Sequence, residues 1–101
     1  MYDTKGGSLL AHTDLEVTEF LKNDHVKIGK VIFPVGSSTG EPASHSGFEF
    51  VYIIEGRLEV VVGTEKKLIE KGNHMCFDAK KLHYSRNLSD EDTELLFFIY
   101  G

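Results

Sequence analysis

Glycine punctuation limits what this chain can fold into. Ten glycines fall between short apolar runs, and two prolines, Pro34 and Pro42, add further breaks. Val26-Lys27-Ile28 alternates and Val31-Ile32-Phe33 follows. Phe48 to Ile54 is nearly continuous and is aromatic or β-branched. Leu58, Val60 and Val62 alternate with Arg57, Glu59 and Val61. Leu68-Ile69 precedes the turn signal Lys71-Gly72-Asn73. Met75-Cys76-Phe77 and Leu95 to Tyr100 complete the series. Short runs rich in Val, Ile, Phe and Tyr, with a turn signal at roughly 8–12-residue intervals, predict an all-β sandwich or barrel. Gly56-Arg57 and Gly63-Thr64-Glu65 read as hairpin turns. Helix is hard to place: LEVTEFL, Leu15 to Leu21, fits a single turn or a strand.

Length and composition set the outer bounds. With 101 residues, 41% of them hydrophobic, the chain affords one small domain with one core. The longest apolar run, Leu95 to Tyr100, is far below the roughly 20 residues that cross a bilayer. The stretch MYDTKGGSLLAH lacks the basic and long apolar regions of a secretory signal. Net charge is −5, and no basic cluster exceeds the pairs Lys66-Lys67 and Lys80-Lys81. Phosphate-backbone binding needs several cations, so this chain alone is a poor nucleic-acid binder. The single cysteine, Cys76, excludes an internal disulfide and a multi-cysteine zinc site. Its apolar neighbours predict a buried, inert thiol. These features together point to the cytoplasm.

The chemistry-bearing stretch is HSGFEFVYIIEG, residues 45–56. His45 and Glu49 would share a face on a helix, but the β-rich residues after them disfavour one. On a straight strand the pair would stand about 13 Å apart, too far to share a metal ion. A metal site therefore requires a bend at Ser46-Gly47, where glycine tolerates conformations closed to other residues. The alternative is a loop histidine and a strand carboxylate facing water. His83 is the candidate third ligand. Two imidazoles and a carboxylate suit a divalent transition metal such as Fe, Zn, Mn or Ni, and three protein ligands leave positions open.

Gly40 to Gly56 resembles the first motif of the cupins: His45 stands at the second histidine position, three residues separate it from Glu49, and six separate Glu49 from Gly56. Gly72 to Asn87 looks like the second motif, with Gly72, His83 and Asn87 at matching separations. The resemblance spans roughly residues 26–100. It implies an antiparallel jelly-roll β-barrel whose metal ligands are His45, Glu49 and His83. The first histidine position is Ala43 here. The fourth ligand is missing, and the space beside Ala43 becomes a place for a ligand. Asp78, Lys80 and Asn73 also depart from the usual second motif. The combined pattern looks most like the cupin sensor domains attached to helix-turn-helix transcription regulators, without room for a DNA-binding domain. Small cupins commonly pair, so the resemblance also implies a homodimer.

Three functions are compatible with these residues. The first is a binding or sensing barrel that holds a divalent metal and a small polar or anionic metabolite. The second is a metal-dependent enzyme, such as a dioxygenase, isomerase, lyase or decarboxylase, acting on a small organic acid or sugar. The third is an interaction domain that has lost its metal. An enzyme needs an acid or base near the metal; Tyr52, Tyr84, His74 and Arg86 are the candidates. Strand parity puts Ser85 and Asn87 with His83, and Tyr84 and Arg86 opposite. His12, His25 and His74 are expected at the surface. Phe48, Phe50 and Tyr52 are expected in the core or at a subunit interface, and Ser89 to Asp92 in a solvated turn.

Overall fold

The computed structural model describes residues 15–101. His12 and the stretch read for a secretory signal lie outside them. Eight strands form: β1 Glu16–Lys22, β2 Val26–Phe33, β3 Phe48–Glu55, β4 Arg57–Val62, β5 Glu65–Glu70, β6 His74–Asp78, β7 His83–Arg86 and β8 Thr93–Tyr100. They make two sheets of order β1-β2-β8-β3-β6 and β5-β4-β7, every pair antiparallel. The sheets face each other across the core of a jelly-roll barrel.

LEVTEFL resolves into strand β1. Its β-branched Val17 and Thr18 suit a pleated edge position, and β2 offers an unpaired edge. The register slips between Glu19 and Leu21, a bulge around Phe20.

On the inner face of the larger sheet, side chains align in rungs across the strands. Lys27, Ile99, Glu49 and Phe77 form one; Gly29, Phe97, Val51 and Met75 the next; Val31, Leu95 and Ile53 a third. Lys27 and Glu49 carry charge in the first rung and Glu19 stands opposite Gly29 in the second; the remaining rung positions are apolar. Leu58, Val60 and Val62 of β4 and Ile69 of β5 close the core from the smaller sheet. Gly29 is needed within its rung: a Cβ there would come within 2.7 Å of the Phe97 ring.

Two expectations are corrected. Gly63-Thr64 does join a hairpin, β4 to β5, with Gly63 at φ +61°. Gly56 does not. Strands β3 and β4 lie in different sheets, so Gly56 is a corner where the chain changes sheet. Its φ is +83° and a Cβ would stand 2.5 Å from Thr93 Oγ1, so glycine is required. The buried Thr93 hydroxyl pins the corner: it donates to the Arg57 carbonyl (2.7 Å) and accepts from the Arg57 amide (3.0 Å). Cys76 is exposed rather than buried. Alternation along β6 turns Met75 and Phe77 inward, opposite Val51 and Glu49, and Cys76 outward beside Phe50.

Asn87 is wholly buried and serves the fold. Its amide donates to the carbonyls of Phe33 (2.9 Å) and Glu91 (2.9 Å), and its oxygen accepts from the amide and hydroxyl of Ser89. These bonds fix the loop that carries the exposed Asp90, Glu91 and Asp92.

Candidate metal centre

The bend that a shared site required is present. Gly47 has φ +91°, and a Cβ there would stand 2.1 Å from the Tyr100 carbonyl oxygen. Both sides of the bend are clipped to Ala79: the His45 amide donates to its carbonyl, and its amide donates to the Gly47 carbonyl, each at 2.9 Å. The chain is thus folded back before β3 begins. His45 Nε2 comes to 3.3 Å from Glu49 Oε1 instead of lying along a rod from it.

Strand β7 brings His83 to the same oxygen, with Nε2 at 3.4 Å. The two imidazoles meet edge to face, centroids 5.2 Å apart. The ring of Phe77 packs against His83 at 4.9 Å. Ligand atoms of His45, Glu49 and His83 all lie within 4.8 Å of one another. Their side chains are 39%, 19% and 13% exposed, so the cluster sits at the barrel rim with one side toward solvent.

Backbone carbonyls set the tautomers. His83 Nδ1 lies 2.8 Å from the Lys81 oxygen and His45 Nδ1 3.1 Å from the Ser46 oxygen. A carbonyl only accepts, so each Nδ1 carries the proton. In the neutral ring each Nε2 then presents a lone pair, and both lone pairs converge on a carboxylate. Three acceptors facing one another need a proton or a cation between them. The surroundings of His83 favour its protonated form. Its hydrogen bond to Glu49 pushes its pKa above the ordinary value; burial opposes this, and the Lys81 carbonyl and the Glu49 charge add to it.

Ala43 exchanges both backbone hydrogen bonds with His83, at 3.1 and 2.9 Å. Directly opposed residues of an antiparallel pair share a face, with Cβ atoms about 5 Å apart. Ala43 therefore lies beside His83 on the ligand side, exposed to solvent.

A cavity of about 250 Å³ lies inside the barrel and meets the cluster at Glu49, which forms part of its wall. Val31, Val51, Leu58, Leu95, Phe97 and Ile99 make most of the remaining wall. Thr39, Ser85 and the Glu19–Lys27 ion pair, 3.7 Å apart, supply the polar part. Strand parity in β7 is as expected for Ser85, which lines the cavity, and for Arg86, which pairs with Glu59 at 2.6 Å and stacks over Tyr84. Tyr52 and His74 oppose each other on the outer face of the larger sheet, where His74 packs on Phe50. None of the four acid–base candidates faces the cluster. The orienting carbonyls of Ser46 and Lys81 and the clip at Ala79 carry no side-chain signal, and nothing in the sequence pointed to them.

The chain is similar to several known proteins. An uncharacterized protein of Methanocaldococcus jannaschii is 28% identical over 95 residues, covering 94% of this chain and 74% of that one. The Cupin_2 domain of an XRE family transcriptional regulator from Enterobacter cloacae superposes with a TM-score of 0.79 at 22% identity, covering 86% of this chain and 96% of that one. The Cnp3 cupin domain of Schizosaccharomyces pombe gives 0.79 at 18% identity, covering 99% and 68%. At these identities the structural likeness is one of fold. The Cupin_2 family, described as the cupin domain, matches residues 29–99, and the chain belongs to that family.

Proposed function

We propose that this cupin is a binding module: His45, Glu49 and His83 hold a divalent transition metal, and a small molecule occupies the cavity beside it. The observation that carries this reading is the pair of oriented imidazoles whose Nε2 atoms converge on Glu49 Oε1 at 3.3 and 3.4 Å. Backbone carbonyls on the far ring nitrogens are the usual way a protein presents imidazole to a metal. A metal bound there supplies a Lewis-acid position with sites left open by the three-ligand set. Binding competes with protonation of His83.

Binding without turnover is favoured because Tyr52, Tyr84, His74 and Arg86 all lie away from the cluster. The similarity in fold to a regulator's cupin domain agrees with a sensing role. Ala43, opposite His83, leaves the ligand side open where a fourth imidazole would stand. A homodimer belongs to the same reading: Phe48, Tyr52, Leu96, Phe98 and Tyr100 are exposed on the outer face of the larger sheet, an apolar surface of the kind that partners cover. So does a cytoplasmic setting, supported by the single free thiol of Cys76.

Titration of chelator-treated protein with Co2+, followed by visible absorption, tests the metal reading. One equivalent should bind, with a spectrum lost in Glu49→Gln. A spectrum identical to that of free Co2+ in both proteins would overturn it.

A further inference from the structure

We propose that the cavity selects a small amphiphile: one oxygen-donor head at the Glu49 wall, where the cavity meets the metal cluster, and an apolar tail, about eight carbons in all. This deepens the binding reading above and rests on it for the head group alone.

The walls carry the inference. Below the Glu49 rung the cavity is faced by Val31, Val51, Leu58, Leu95 and Phe97. These walls stabilise a ligand in proportion to the apolar surface it buries. The polar groups present do not suit a polyol. Thr39 Oγ1 already accepts from the Ser85 amide at 3.0 Å, and a sugar would leave hydroxyls unpaired against hydrocarbon, which is costly. They do not suit a diacid either. Lys27 is the one cation among the lining residues, and Glu19 lies 3.7 Å from it. A second carboxylate would have to break that pair or stay buried without a partner. The polar or anionic character expected of the ligand is therefore confined to one end.

Size follows from volume. A cavity of roughly 150 Å³ holds a benzene, so about 250 Å³ holds about ten non-hydrogen atoms. A straight-chain carboxylate of eight carbons has that number.

The test is calorimetric titration of Co2+-loaded protein with n-carboxylates from acetate to dodecanoate, beside malate and gluconate. Affinity should rise about fourfold per methylene up to about eight carbons and then stop rising. Val31→Phe should move that limit about four carbons shorter while Co2+ uptake is unchanged. If that variant does not fold, Val17→Phe, at a half-exposed wall position, serves the same purpose. Failure of the metal reading shows separately as absent Co2+ uptake. The n-alcohol series on metal-free protein then carries the measurement, and the same rise with length supports the cavity inference. A flat dependence on chain length, or malate or gluconate binding more tightly than octanoate, overturns it.

Discussion

His83 Nε2 lies 3.4 Å from Glu49 Oε1 while the other nitrogen of the same ring donates to a carbonyl at 2.8 Å. The imidazole is thereby fixed in rotation and in tautomer, and it shares the carboxylate with either a proton or a metal.

The proton has a stability consequence in the metal-free protein. The pKa of His83 is raised above its ordinary value of 6.5, chiefly by the Glu49 hydrogen bond. Folding thus favours the protonated ring. This contribution is fully present below the ordinary value and is lost as pH rises through the raised folded value. The melting temperature of metal-free wild type should exceed that of His83→Gln at pH 5, and the gap should narrow toward pH 8. A gap that widens with pH would contradict the pairing. Metal affinity should run the opposite way and strengthen over the same interval, because the metal competes with that proton.

Ala43 predicts a gain of function. It shares a face with His83 through a two-bond antiparallel bridge, so Ala43→His places a fourth imidazole beside the third. Metal affinity should rise at least about tenfold, since even partners outside the ligand set are worth roughly 10–100-fold. Competition with a chromogenic chelator measures it.

Gly47→Ala should damage fold and site together. The positive φ costs about 1–3 kcal/mol for a residue with a side chain, and the new Cβ would meet the Tyr100 carbonyl at 2.1 Å. Urea unfolding should show a loss of about 2 kcal/mol or more, and metal affinity should fall although no ligand is changed.

Asn87→Ala separates fold from site. The Phe33 carbonyl would lose its buried donor, while the exposed Glu91 carbonyl keeps the Ser89 hydroxyl. One unpaired buried group costs about 1–3 kcal/mol. Stability should drop by that amount at unchanged metal stoichiometry in the folded protein.

Much of this was legible in the residues, for identifiable reasons. Six of the eight strands contain the short apolar runs read between the turn signals, because burial of one face imposes period two. The bend at Gly47 followed from chain length alone: His45 and Glu49 could not meet without it. Other features depend on what a residue meets in space. Gly56 is a glycine after a strand whether the next strand pairs with the last or crosses to another sheet, and Thr93, far along the chain, decides it. Cys76 lies in a run of three apolar residues that has no parity until Val51 and Glu49 select Met75 and Phe77. Strand β1 is nearly all exposed, so it lacks the buried stripe that identifies a strand. The cavity draws its wall from six strands and the loop carrying Thr39, and no local pattern encodes that convergence.

Metal content is the direct test of the central claim. The protein is purified without added metal and compared by elemental analysis with His45→Ala and His83→Ala. Wild type should carry close to one divalent transition metal per chain and each variant much less. Equal content in all three would contradict the assignment of His45, Glu49 and His83 as a metal site.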